Sequence, residues 1–488
     1  MTIAADALRA VEAVFTERIA ANTAPGSSWA VFDRGGVVAS GGAGVTSLDP
    51  SHPARGPEPG PDTLFRIASC TKSFTAAALL LLRERGLLDL DTPARSFVPE
   101  FSPEVPGGGA VGPTVRMLMT MSGGLPTDDP WADREESMTR DEFDAMLAAG
   151  IRCSAVPGTG FEYSNLGYAV LGQVVERVSG STFTDFVTRE LIEPLGLDVR
   201  FDRPADAAVP LATGHRRVGD DGWLPLPFTG PGVFSAIGGL FASARSLAEW
   251  AVWLASARAG DDSGPLSAAS RREMQQLARV AAKRQDPAAA TAPQKVFGYG
   301  FGLFVEYDDR FGAIASHSGG YPGFSAHMRW HEASGLGVVA FENATTARVS
   351  QGAERALKLV LEAAEATRPL SPAAAPWPET LDASVAVSAL VNEWSDAAAS
   401  AVLATNVALD VPYDERRAAI ETAWAAIGGR IGASTQAVDA AGDSPDHLVW
   451  FLPGATGRLR VELRMTPLVS PRAQTFLVSV ESPEASGA

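Results

Sequence analysis

The uncharged run Phe74-Thr75-Ala76-Ala77-Ala78-Leu79-Leu80-Leu81-Leu82 follows directly on Ser69-Cys70-Thr71-Lys72-Ser73 and constrains the fold more than any other stretch. Such a run predicts a buried helix, from about residue 70 to 85, with Gly86 suited to close its C-terminus. A serine and a lysine three apart at the head of that helix share one face. The lysine amine can therefore reach the serine hydroxyl. A serine is a poor nucleophile until a base takes its proton. A lysine serves as that base only where burial or a neighbouring charge lowers its pKa, and the apolar run predicts burial. Ser-x-x-Lys alone also fits a serine near a helix start beside a snorkelling lysine.

Two further segments change that balance. Tyr163-Ser164-Asn165 supplies Tyr-x-Asn, and His317-Ser318-Gly319-Gly320 supplies His-x-Gly followed by another glycine. The order resembles the serine β-lactamase and penicillin-binding-protein superfamily, whose motifs are S-x-x-K, S-D-N and K-T-G. Tyr163 replaces the first serine of S-D-N, as in the class C β-lactamase, D-aminopeptidase and esterase branch. His317 replaces the lysine of K-T-G, which looks more like D-aminopeptidases and D-alanyl-D-alanine carboxypeptidases. Met117-Leu118-Met119-Thr120-Met121-Ser122-Gly123-Gly124-Leu125-Pro126 resembles the segment LLTHTSGLP. Pro157-Gly158-Thr159 resembles PGT, Ser235-Ala236-Ile237-Gly238-Gly239-Leu240 resembles SAAGGL, and Gly298-Tyr299-Gly300-Phe301-Gly302 resembles YGYGLG. The resemblance spans roughly residues 10 to 365.

The resemblance implies acyl transfer through an acyl-enzyme. Ser69 attacks a carbonyl, and Lys72 or Tyr163 takes its proton, the pair titrating as a unit. Near cationic groups the Tyr163 phenolate is expected to be favoured. Asn165 is expected to hydrogen-bond Lys72 and the substrate. His317 takes the place of a lysine that binds a substrate carboxylate or tunes the tyrosine. The backbone N–H groups of Ser69 and Gly320 form the oxyanion hole. Ser318 and Gly319 complete the substrate-binding strand, with Gly319 and Gly320 letting substrate backbone approach closely.

Length and composition bound the rest. The chain has 488 residues, of which 46% are hydrophobic, enough for two or three domains with sizeable cores. Forty basic residues against 57 acidic ones leave a net charge of −17. That balance argues against nucleic acid and anionic membranes as partners. Two cysteines, Cys70 and Cys153, argue against a disulfide framework, and Cys70 reads as buried filler. The N-terminus reads as an amphipathic helix without a secretory pattern, and no run is long enough to span a bilayer, so a cytoplasmic location is expected. No cofactor is expected. His327 and His331 lie four apart on an apparent strand, where they cannot readily share a metal, so no metal site is expected. Met117, Met119 and Met121 read as core.

The fold class expected is α+β. An antiparallel sheet flanked by helices carries a helical subdomain, and a small C-terminal α+β accessory domain follows. Residues 1–366 form the hydrolase domain, 367–380 a Pro-rich linker and 381–488 the accessory domain. Expected elements are helices at 1–22, 164–180 and 350–366, strands at 27–33 and 36–42, and mainly helix and loop over 90–250. Residues 52–62 read as a loop and 280–295 as an insertion. The acidic stretch 126–140 reads as a solvated loop, with the alternative that it overhangs the site and attracts a substrate ammonium. In the tail, helices are expected at 384–403 and 413–428, and strands at 447–452, 458–466 and 474–481. Dimerisation, a lid and stability stay open as roles for it, and a homodimer is the candidate assembly. The partner expected is a small-molecule or short-peptide substrate, cleaved at an amide or peptide bond next to a D-residue. Short acyl esters, transacylation or peptide cyclisation, β-lactam hydrolysis and non-catalytic peptide binding are the alternatives.

Overall fold

The computed structural model describes residues 3–48, 56–108, 112–204, 206, 208–220, 222–281, 296–365, 375–431 and 437–481. The predicted insertion at 280–295 lies almost wholly outside them, as does part of the predicted loop at 52–62. Backbone contacts divide the chain into two compact units, Met1–Leu370 and Ser371–Ala488.

The first unit is built on an eight-stranded antiparallel sheet. Its strands are β1 (Gly26–Asp33), β2 (Gly36–Gly44), β3 (Arg279–Val280), β4 (Val296–Tyr299), β5 (Phe304–Asp308), β6 (Gly312–Tyr321), β7 (Phe324–His331) and β8 (Gly337–Glu342). They run in the order β2-β1-β8-β7-β6-β5-β4-β3. Successive residues of a strand point to opposite faces, so a sheet covered on both sides needs apolar residues at every position. The central strands meet that need. Trp29, Val31, Val338 and Ala340 pack under α1 (Ala5–Ala20) on one face, along with the C-terminal helix Ser350–Glu365. Ala30, Phe32, Val339 and Phe341 join the larger core on the other face.

That larger core surrounds α2 (Thr71–Glu84), whose residues Thr71 to Leu82 are all buried. Gly86 follows its C-cap at φ +71°, the left-handed turn for which glycine has no steric penalty. Helix α3 (Asn165–Ser179) packs beside it. From α4 (Ala244–Ser256), the Trp250 ring stacks on Phe74 at 3.8 Å between centroids. Trp250 Nε1 donates to Ser73 Oγ at 3.0 Å, and that hydroxyl donates to the Cys70 carbonyl at 2.7 Å. The head of α2 is thus held from its side as well as along its axis.

The chain also forms short strands, most of them between residues 90 and 250, that the sequence pattern did not announce. Phe65–Arg66, Val199–Arg200 and Phe241–Ala242 make a three-stranded sheet, and His215–Val218 pairs with Gly222–Pro225. Segments of two to four residues are too short for a periodic signal. No helix among the described residues is long and apolar enough to cross a membrane.

Among its described residues the second unit contains four helices and a four-stranded antiparallel sheet, Val438–Ala441, His447–Pro453, Arg458–Met465 and Ala473–Val480. The expected linker at 367–380 lies mostly outside the described residues, and within it Pro378 opens the helix Pro378–Asn392. The single helix expected over 384–403 is two, Pro378–Asn392 and Asp396–Val402. Glu393 is extended there, Trp394 turns onto Tyr413 and Phe476, and Ser395 caps the second helix.

Gly302, between β4 and β5, fits against the head of α2. Its φ is +70°, and a Cβ would stand 2.5 Å from the Lys72 carbonyl oxygen and 2.8 Å from Ser73 Cα. Backbone strain and clash together predict that Gly302→Ala destabilises the first unit by about 2–4 kcal/mol, measured by chemical denaturation.

Candidate active site

The turn Ala68–Cys70 leads into α2, and Ala68 sits at φ +49°. A residue with a Cβ in that region stores about 1–3 kcal/mol of strain, which the surroundings must hold. Ile67 N donates to Leu240 O at 2.9 Å and Cys70 N to Ile67 O at 3.2 Å. Gly319 of β6 abuts this turn, where a Cβ would collide with the Ile67 carbonyl and lie 3.1 Å from Ala68 Cβ. The close approach that requires Gly319 is therefore to the nucleophile turn rather than to substrate. Gly320 has open space in front of it and lines the cavity at Ser69.

Lys72 Nζ donates to Ser69 Oγ at 2.9 Å and to the Ile237 carbonyl at 3.0 Å. It also faces the rings of Tyr163 at 5.1 Å and Tyr168 at 5.7 Å. Burial pushes its pKa down to about 8, against the opposing pull of the carboxylates of Asp129, Asp133 and Asp128. Tyr163 hydrogen-bonds Ser69. Burial and the carboxylates of Asp129 and Asp133 hold its pKa well above the usual phenol value. The expected phenolate is thus not favoured. The charges that reach this buried ring are mainly negative, and they oppose its ionisation.

Asn165 does not bond Lys72, contrary to expectation. Its Nδ2 donates to Asp129 Oδ1 at 2.6 Å, while Lys72 is taken up by Ser69 and Ile237. The acidic stretch that reads as a solvated loop instead folds onto α3. Asp128 accepts from the backbone N–H groups of Asn165 at 2.7 Å and Leu166 at 2.8 Å, an anion at a helix N-terminus. Ser164 caps the same helix end and bonds Asp128 at 3.2 Å. Asp129 and Asp133 line the cavity at Ser69, and burial pushes the Asp133 carboxyl up to about 7. Sequence reading misses this because charges in a loop look solvated until the loop is seen capping a buried helix.

His317 also departs from expectation. Its Nδ1 faces the Ser318 carbonyl at 2.6 Å, so that nitrogen carries the proton, and Nε2 accepts from Tyr299 Oη at 2.9 Å. Burial and the nearby Lys72 push its pKa down to about 3. It is a neutral ring with both nitrogens engaged, and it offers no fixed positive charge to a substrate carboxylate. Tyr299, which sequence reading did not single out, supplies that restraint from β4. Cys70 is buried filler, its thiol against the His317 carbonyl at 3.3 Å and pushed up to about 12 by burial. His327 bonds Ser318 Oγ at 2.8 Å, and His331 bonds Ser334 and Phe311, so the two histidines have separate partners.

The cavity at Ser69 has a volume of about 580 Å³. Ser69, Tyr163, His317, Ser318 and Gly320 all line it. Of the predicted site residues, Lys72, Asn165 and Gly319 stand behind that surface. The ionisable lining is mostly acidic, with Asp129, Asp133, Glu306 and Glu354 against Arg329, which is itself paired with Glu306 at 2.5 Å. Because Asp129 raises the Lys72 pKa, Asp129→Asn should move the Lys72 titration below its present value of about 8. Labelled-lysine NMR across pH reads that midpoint, and an upward move would contradict the assignment.

The beta-lactamase family matches residues 11–362. Protein flp of Staphylococcus aureus (strain COL) is 28% identical over 191 residues, 39% of this chain and 37% of flp. The match thus spans little more than a third of that relative's length. Among solved structures, the octameric penicillin-binding protein homologue from Pyrococcus abyssi superposes with a TM-score of 0.61 at 21% identity, covering 97% of this chain and 100% of its own. D-amino acid amidase from Ochrobactrum anthropi SV3, complexed with D-phenylalanine, gives 0.58 at 23% identity, covering 75% of this chain and 100% of its own. At those identities the two structures speak for the fold. The family match covers well over half of the sequence and includes Ser69, Lys72, Tyr163 and His317, and the chain belongs to the beta-lactamase family of serine hydrolases.

Proposed function

We propose that this protein hydrolyses the amide or peptide bond of a small substrate that carries a free amino group beside the scissile carbonyl. The observation that carries this reading is the charge of the cavity. Asp129 and Asp133 line the same cavity as Ser69, Asp133 about half ionised at neutral pH, and the histidine at the position of the family's lysine is neutral. A site of that polarity favours an ammonium over a carboxylate. A D-residue at the acyl position is the stereochemistry tested first, as the D-amino acid amidase of similar fold suggests.

The chemistry runs through Ser69. With a pKa near 8, roughly a tenth of Lys72 is neutral amine at pH 7, and that amine accepts the Ser69 proton as Oγ attacks the carbonyl carbon. The oxyanion is received by the backbone N–H groups of Ser69 and Gly320. Tyr163, a neutral phenol bonded to Ser69, donates its proton to the leaving nitrogen as the C–N bond breaks and regains one from the Lys72 ammonium. Water then attacks the acyl-enzyme, its proton follows the reverse route, and the acid and free Ser69 are released. A substrate ammonium beside Asp133 favours the ionised carboxylate there.

Three results test this. Ser69→Ala should lower amidase turnover at least about 1,000-fold. Amino-acid p-nitroanilides should outperform their N-acetyl counterparts, and Asp133→Asn should cost about 10–100-fold on the free amines alone. Finally, kcat/KM should climb as Lys72 loses its proton near pH 8 and fall as the substrate loses its ammonium, giving a narrow optimum. Equal rates on free and acetylated amines would sink the ammonium reading, and a Ser69→Ala variant at wild-type rates would sink the mechanism.

A further inference from the structure

A second cavity, of about 640 Å³, has no part in the chemistry described so far. Its walls come from Arg203, Pro204 and Asp206, from residues 208–214 and 226–229, and from Tyr321, Pro322 and Phe324, with Arg66 and Phe241 behind them. Phe228, Phe241, Tyr321 and Phe324 give it an aromatic lining, and prolines supply much of the rest. The volume is that of a ligand-sized pocket, about 300–1,000 Å³.

Arg66 is the one fully buried cation in that wall, and it is already engaged. Its guanidinium donates to the Thr229 carbonyl at 2.5 Å and the Gly238 carbonyl at 3.5 Å, and it faces Glu136 at 3.6 Å. It stacks over Tyr321 at 4.1 Å and Phe241 at 4.6 Å. Its charge faces Glu136 and its guanidinium lies over two aromatic rings, so it stiffens a wall that is mainly aromatic and proline-rich, with Arg203 and Asp206 as further charged lining. Arg203 similarly lies flat over Phe228, at 4.8 Å.

Position ties this cavity to the nucleophile. Arg66 precedes Ser69 by three residues, which chain geometry limits to about 11 Å between Cα atoms. Tyr321 follows Gly320, which lines the Ser69 cavity. Strand β5 pairs with β6 only as far as Phe304 opposite Ser316. Beyond that point the same edge of β6, residues 317–321, has no strand partner among the described residues. A substrate laid along this edge passes from Ser318, in the acidic cavity, to Tyr321, in the aromatic one. The scissile carbonyl, at Gly320, lies between them.

We propose that the aromatic cavity is a specificity subsite that takes a large, uncharged side chain, aromatic or branched, on the residue that acylates Ser69. This rests on the acyl-transfer reading above and adds the class of acyl group. The ammonium of that residue turns to Asp129 and Asp133, while its side chain turns past Gly320 to Phe228, Phe241 and Tyr321. A cavity of this size around an alanine side chain would be largely empty, and each apolar group that fills it strengthens binding of the transition state.

The test is a series of p-nitroanilides of alanine, leucine and phenylalanine in both configurations, run with the full chain. For the preferred configuration, kcat/KM should rise about 100-fold from alanine to phenylalanine. Leu211→Trp, which fills the cavity, should reduce the phenylalanine-to-alanine ratio at least about tenfold. Ala212→Leu is the milder filling variant, used if Leu211→Trp fails to fold by circular dichroism. A flat series, or an unchanged ratio in a folded filling variant, would overturn the subsite. The same side-chain series on p-nitrophenyl esters separates the two readings. Esters that show the side-chain preference while the anilides stay uncut keep the subsite and overturn the amidase assignment.

Discussion

A lysine ammonium with no exposed surface, at the head of a helix without a charge for its next ten residues, is the constraint around which the first unit is arranged. An unpaired buried charge costs several kcal/mol, and proteins relieve that cost by shifting the pKa or supplying partners. Both occur here. Lys72 gives up part of its charge, with its pKa near 8, and it donates to Ser69 Oγ and the Ile237 carbonyl. Three aspartates add a negative field, and the rings of Tyr163 and Tyr168 present their faces. The features that make the lysine tolerable in the core are those that make it useful as a base.

The neighbouring groups follow from the same field. Tyr163 and His317 are pressed toward their neutral forms by burial, the tyrosine further by Asp129 and Asp133, the histidine further by Lys72. Tyr299 and the Ser318 carbonyl complete the histidine's hydrogen bonds and fix its tautomer. The result is a nucleophile beside a buried, mostly protonated lysine and two neutral rings, with the negative charge on the cavity wall. That polarity separates this site from one built to hold a substrate carboxylate.

Much of this architecture is legible in the chain, and the legible parts share a cause. Helix Thr71–Glu84, the strands Gly26–Asp33 and Gly337–Glu342, and the meeting of Ser69 with Lys72 derive from long apolar patterns or from local spacing, while the approach of Tyr163 was legible through the family's motif order. Features that depend on distant segments and carry no motif were not legible. Asp128 and Asp129 look like surface charge until they are seen capping Asn165–Ser179 and holding the Asn165 amide. The tautomer of His317 is fixed in part by Tyr299, eighteen residues away on another strand. The helix expected at 384–403 breaks where Trp394 finds Tyr413 and Phe476, contacts that no local propensity encodes. The aromatic cavity draws on residues from Arg66 to Phe324 and leaves no motif at all.

The proton carriers Lys72 and Tyr163 serve one event, the acylation of Ser69. Intact-mass spectrometry after a brief exposure to an activated p-nitrophenyl ester, followed by peptide mapping, reads that event. One acyl group per chain is expected, on Ser69, forming faster as pH rises through 8. An adduct on the neighbouring Cys70, or no adduct while the ester is being turned over, would contradict it.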